Sequence, residues 1–156
     1  MENFTFYSPT KFVFGKGAEN EAGKLVKAYG GSKVLLHFGG GSVVCSGLLN
    51  RVKASLDAEK IPYIELGGVK PNPRSGLVYE GIDLCRKEGV DFILAVGGGS
   101  VLDSTKDIAN GVANPDIDVW DFSLGKCSPA KTLNKGAILT LAAAGSEMSD
   151  SCVISN

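Results

Sequence analysis

Short apolar runs alternate along this chain with stretches whose apolar residues return every three or four positions. The runs fall at Lys33 to Phe38, Ile61 to Leu66, Phe92 to Val96 and Ala137 to Leu141. All four read as strands; Phe92 to Val96, short and unalternating, is of the kind buried on both faces of a parallel sheet, and Ala137 to Leu141 reads as a last buried strand. Between them, Ala18, Ala22, Leu25, Val26 and Tyr29 share one helical face, closed by Gly30 and Gly31, and Leu48, Leu49, Val52 and Leu56 mark a second helix through about Ala58. Val78, Ile82 and Cys85 mark a third over about Ser75 to Lys87, after a rigid, extended Pro71, Asn72, Pro73 stretch. Val101, Leu102, Thr105, Ile108, Ala109 and Val112 mark a fourth, and Asn114 to Lys135 reads as irregular. Two strand-like pieces, Phe4 to Tyr7 and Lys11 to Phe14, open the chain on either side of Ser8, Pro9 and Thr10. Strands alternating with helices imply right-handed crossovers. The fold class is therefore α/β, a Rossmann-like, mostly parallel sheet with helices on both faces. Ligands of such sheets bind beyond the carboxyl ends of the strands.

Two of the runs end alike, in VLLHFGGGSV over 34–43 and in VGGGSVLDSTK over 96–106. A glycine costs roughly 0.5–1 kcal/mol relative to alanine in regular structure, so three together need unusual backbone angles or a body lying against bare main chain. A phosphate fits, because a helix N-terminus offers unpaired amides and the positive end of a dipole. Ser100 and Asp103 also have the spacing of a capping box, which accounts for those two residues without a ligand. It leaves Gly97, Gly98 and Gly99 unexplained. Two such corners in one domain suit the several anionic groups of a dinucleotide.

The bulk numbers narrow the field. A chain of 156 residues fits one domain with a substantial core. A net charge of -1 with no basic stripe argues against nucleic acid or an acidic membrane surface as partner. No apolar run approaches the ~20 residues of a membrane span, and the first residues lack a secretory leader, so a cytoplasmic location is expected. Cys45, Cys85, Cys127 and Cys152 form no CxxC pair and are expected to be reduced and partly buried. Ser146 has no evident base to make it a nucleophile, and Asp118 and Asp121 around Trp120 read as ordinary turn residues. No catalytic residue is assigned.

The segments FTFYSPTKFVFGKGA, HFGGGSV, GGVKPNP, AVGGGSVLDSTK and LTLAAAGSEMSDSCVISN occur in that order. Together they resemble the N-terminal nucleotide-binding domain of iron-containing alcohol dehydrogenases, a domain of the dehydroquinate synthase-like fold, nearest the NADP-dependent butanol dehydrogenase and aldehyde reductase branch. The resemblance implies hydride transfer between a primary alcohol or aldehyde and a nicotinamide, with a divalent metal polarising the oxygen. It implies that Gly97, Gly98, Gly99, Ser100 and Asp103 contact the pyrophosphate and the adjoining ribose or nicotinamide end. It also implies that Thr140 hydrogen-bonds the cofactor and that Gly40, Gly41 and Ser42 lie near the adenosine ribose. An NAD site wants a carboxylate at that ribose, and Val34 to Leu49 has none. NADP is thus expected, with NAD as the second choice and Lys33 or Arg51 assisting a 2'-phosphate.

In the family the metal is held by one Asp and three His of a helical second domain, whereas His37 is the single histidine here. Residues 1–156 are therefore expected to be the dinucleotide-binding domain alone, without that helical metal-binding domain, with little or no turnover and no Fe or Zn site. His37 itself reads as a packed structural residue. Ala142 and Ala144 stand where relatives commonly show Pro and Thr, which removes a hydroxyl at position 144. A homodimer through the N-terminal strands is a further implication. Two alternatives stay open: a piece of a glycerol dehydrogenase or dehydroquinate synthase-like relative, or a non-catalytic nucleotide-binding or dimerisation module.

Overall fold

The computed structural model describes residues 3–5 and 7–156, so Phe6 of the first expected strand lies outside the described residues. A 3-10 turn, Ala18–Glu21, runs into α1 (Ala22–Ala28), followed by β1 (Val34–Phe38), α2 (Ser42–Cys45), α3 (Leu48–Ala58) and β2 (Tyr63–Leu66). Then come α4 (Ser75–Glu88), β3 (Phe92–Gly97), α5 (Gly99–Ala113), α6 (Val119–Ser123) and β4 (Asn134–Leu139). Among the described residues the sheet has four strands, all parallel, in the order β2-β1-β3-β4.

Alternate side chains of each strand enter opposite helix layers, as the pleat requires. Val34 and Leu36 of β1 and Leu94 and Val96 of β3 pack with Val26, Leu49, Val52 and Leu56 on one face. Leu35 and Ile93 pack with Val78, Ile82 and Ile108 on the other. Strand β3, flanked by β1 and β4 and covered above and below, is buried along all its residues. Within the first of these layers α1 and α3 approach closely at Gly23, where a Cβ would stand 2.1 Å from the Ser55 carbonyl oxygen of α3. That contact is reinforced by the Gly23 amide, which donates to the Ser55 hydroxyl at 2.9 Å.

Several expectations need correction. The described residues of Phe4 to Phe14 pair with no strand of the chain, and Phe4, Tyr7, Phe12 and Phe14 are exposed. A strand needs a neighbour, and neither sheet edge comes to them. The helix expected after the first glycine corner is split at Gly47, whose φ of 71° ends one helical path and starts another. The supposedly irregular region holds α6, started by Asp118, whose side chain accepts from the Trp120 amide at 3.0 Å. Strand β4 begins at Asn134 rather than Ala137, ends at Leu139 rather than Leu141, and is exposed to half-buried instead of buried. Among the described residues it is an outer strand, flanked by β3 alone. Among the thiols, Cys85 is buried and pushed up to about 12 by desolvation, and Cys152 is half-buried, but Cys45 and Cys127 are exposed.

Candidate functional site

The chain leaves β1 for β2 on one side and reaches β3 on the other, so the sheet reverses its winding between β1 and β3. In such folds the crevice beyond the carboxyl ends of that strand pair is where ligands sit. Gly39 to Gly41 follow β1, while Gly97 ends β3 and Gly98 and Gly99 open α5. Because Phe38 pairs in register with Val96, the two corners are side by side. The β2 exit loop closes one flank, with the Gly68 amide donating to the Gly39 carbonyl at 3.1 Å. Thr140 closes the other, its amide donating to the Gly97 carbonyl at 3.0 Å.

The structure gives different reasons for the individual glycines. None of Gly39, Gly40, Gly41, Gly97, Gly98 and Gly99 has a positive φ. At Gly97 a Cβ would come within 2.6 Å of the Val101 side chain, so packing requires the glycine. At Gly40, Gly98 and Gly99 a Cβ would meet nothing within 4 Å. Neither backbone angle nor internal packing demands a glycine at these three positions. The space is open, and beside it lies the amide-rich head of the fifteen-residue helix α5, with its positive dipole end.

Of the expected contact residues, Gly97, Gly98, Gly99, Ser100 and Thr140 are brought together, and Gly40, Gly41 and Ser42 rim the adjoining corner. The capping box does not form. Helix α5 starts at Gly99 with Gly98 as its cap, and no side chain caps it. Asp103 turns instead toward the C-terminal segment, accepting from the Ser146 hydroxyl at 2.6 Å and the Val153 amide at 3.3 Å.

Lys106, which the sequence reading did not single out, is central to that contact. Its side chain is 9% exposed, and Nζ lies 3.7 Å from Asp103 Oδ1. It donates to Ser146 Oγ at 2.8 Å and to the Ser151 carbonyl at 2.7 Å. A lysine therefore does stand beside Ser146. The ammonium donates, however, and the serine proton goes to Asp103, so the serine is a bridge rather than a nucleophile. One position further along, the Cys152 thiol donates to Asp107 at 2.8 Å. Burial first, then that carboxylate, push the thiol well above its ordinary range, which makes it inert. Burial likewise raises the Asp107 carboxyl. The Asp-x-x-Lys spacing was the visible sign of this cluster. Its partners, 40 and more positions away, were not visible.

His37 is fully buried, its Nδ1–H donating to the Leu66 carbonyl at 2.8 Å while its Nε2 accepts from the Ser104 hydroxyl at 2.8 Å. The carbonyl partner fixes this neutral tautomer, and desolvation lowers the group to about 4. It bolts β1 to the end of β2 and to α5, the structural role expected of it.

The two cations named as helpers differ. Lys33 stands at the far end of β1 from the glycine corner and is paired with Glu88 at 3.0 Å, which removes it from the site. Arg51 on α3 reaches the Ser46 carbonyl just after α2 at 3.2 Å and is paired with Glu19 at 2.8 Å. Among the described residues, no three His, Cys, Asp or Glu side chains are grouped to hold a metal ion. With both His37 nitrogens engaged, these residues do not fit a catalytic iron or zinc.

Comparison with known proteins agrees with this geometry. The sequence profile of the family described as iron-containing alcohol dehydrogenase matches residues 9–156. The probable NADH-dependent butanol dehydrogenase 2 of Bacillus subtilis (strain 168) is 51% identical over 156 residues, which is 100% of this chain and 40% of that protein. An NADPH-dependent aldehyde reductase of Escherichia coli (strain K12) is 42% identical over 158 residues, 99% of this chain and 40% of its own. The crystal structure of an NADH-dependent butanol dehydrogenase A from Thermotoga maritima superposes with a TM-score of 0.96 at 43% identity, covering 100% of this chain and 39% of that one. The chain thus spans about 40% of the length of the curated relatives it matches. By this match, which runs through both glycine corners, the chain belongs to the iron-containing alcohol dehydrogenase family.

Proposed function

We propose that this chain is the dinucleotide-binding part of an NADP(H)-dependent dehydrogenase that interconverts primary alcohols and aldehydes. One observation carries the reading: the bare, unobstructed main chain at Gly98 and Gly99, which nothing within the protein requires to be bare. In this reading the amides of Gly98, Gly99 and Ser100 receive the pyrophosphate at the head of α5, and Thr140 supports it from β4. Gly40, Gly41 and Ser42 receive the adenosine ribose, and Asp103, one turn into α5, ties the residue 146–153 segment beside the groove. The nicotinamide supplies the hydride. A helical part outside this chain holds the metal, so the chain alone binds cofactor with little or no turnover.

The substitution Gly99→Ala tests the reading, because fold and ligand respond in opposite directions. Position 99 has helical geometry and open space, so alanine raises stability by about 0.5–1 kcal/mol. The same methyl obstructs the groove. A higher melting temperature together with a severalfold weaker NADPH titration is the expected result. Unaltered NADPH affinity overturns the proposal.

A second reading, NAD in place of NADP, is favoured by the printed names of relatives at 51% and 46% identity, both called NADH-dependent. Arg51 is the discriminating residue. If the 2'-phosphate is bound, Arg51→Gln weakens NADPH more than NADH, and equal effects favour NAD.

We also infer a homodimer through the exposed N-terminal segment, supported by Phe4, Tyr7 and Phe12 standing 82%, 82% and 59% exposed. Phe12→Ser combined with Phe14→Ser is expected to give the monomer mass in light scattering. No helix among the described residues is long and apolar enough to cross a membrane. The four free thiols fit the reducing cytoplasm as the working compartment.

A further inference from the structure

Residues 140–153 pass over the carboxyl end of the sheet as a strap whose large apolar side chains point outward. Leu141, Met148 and Val153 are 67%, 47% and 72% exposed. The fastenings of this strap are polar, and they gather on α5. Asp103, Lys106 and Asp107 are three and four positions apart and so share one helix face. Between them they hold Ser146, Ser151, Cys152 and Val153.

Lys106 is the keystone of the row. Burying an ammonium is strongly unfavourable unless its protons find partners, and an ammonium has three to place. Two go to the strap, at Ser146 Oγ and the Ser151 carbonyl, and the Asp103 carboxylate balances the charge at 3.7 Å. The Ser146 hydroxyl accepts from Lys106 and donates to Asp103, so lysine, serine and carboxylate form a continuous chain. The strap begins at Thr140, whose amide is tied to the Gly97 carbonyl. The segment from Thr140 to Ser146 is thereby pinned at both ends, beside the open space over Gly98 and Gly99.

We propose that Lys106 is a positioning residue for the groove: through the Ser146 hydroxyl, its ammonium fixes the Asp103 carboxylate and the Thr140 to Ser146 rim against the Gly97 to Ser100 corner. The inference rests on the dinucleotide reading given above. Asp103 then serves the ligand as an anchor for the rim, both of its oxygens being taken up by the strap. The rim is order that the ligand would otherwise have to impose, and affinity falls with the fraction of molecules in which it is already in place.

The test uses Lys106→Met, which keeps the stem and removes the charge, with two readouts on this chain: hydrogen exchange of the residue 140–153 amides without ligand, and NADPH titration. The strap amides are expected to lose protection while those of β1 and β3 keep theirs. The apparent Kd is expected to rise about tenfold, as follows when the ordered-rim fraction falls to about one tenth. NADPH should slow strap exchange in the parent chain and do so less in the variant, because coupling between rim and ligand is reciprocal. Unchanged strap protection overturns the proposal, and so does lost protection with an unaltered Kd. If the parent chain takes up no NADPH, the cofactor reading fails on its own, and strap exchange still decides whether Lys106 holds the rim. Should the variant lose protection in the sheet as well, Ser146→Ala, which removes only the bridging hydroxyl, replaces it under the same criteria.

Discussion

His37 binds its proton far less readily in the folded chain than an exposed imidazole does, since desolvation takes it from 6.5 to about 4. Above pH 6.5 the residue is neutral in both folded and unfolded chains and has no effect on pH dependence. Below 6.5 the unfolded chain takes up the proton first, so stability falls as pH falls, and the loss approaches about 3 kcal/mol near pH 4. His37→Gln offers the same donor and acceptor without titrating. Its urea midpoint should be flatter than that of the parent between pH 6.5 and 4, and an equally steep decline would show that another group is responsible. The sequence disclosed this residue well, because a single histidine inside an apolar strand has little to do but pack. Lys106 was hidden for the opposite reason: a lysine on a helix is ordinarily solvated, and the segment that buries it lies 40 positions along the chain.

At the scale of elements, the buried strands and the long helices were legible, since periodicity is a local property and each had enough residues to display it. The short α6 was not, its five residues being too few to repeat a face. The capping box failed because α5 takes Gly98 as its cap, which leaves Ser100 and Asp103 inside the helix. The contact of α1 with α3 gives an element-scale prediction. In an isolated helix Gly23→Ala would be favourable by about 1 kcal/mol. Here the added methyl meets the Ser55 carbonyl at 2.1 Å, a backbone group that moves only with its helix. The expected outcome is a net destabilisation of about 1–3 kcal/mol, with a lower melting temperature. A stabilised variant would mean that the two helices separate freely.

On the scale of the whole molecule, the parallel sheet and the place of both glycine corners at its carboxyl edge followed from the alternation of runs, whereas the strand order β2-β1-β3-β4, and with it the switch point, did not. The burial of β4 did not follow, since position in a sheet is set by neighbours rather than by the strand's own composition. That outer flank has a colloidal consequence. Among the described residues no strand pairs with β4 on the side away from β3, and such a margin is a template on which another polypeptide can be zipped. Light scattered by concentrated solutions should grow faster than linearly with protein concentration. Ala137→Lys, placing a charge on this exposed strand, should suppress that growth while shifting folding stability by no more than about 0.5 kcal/mol.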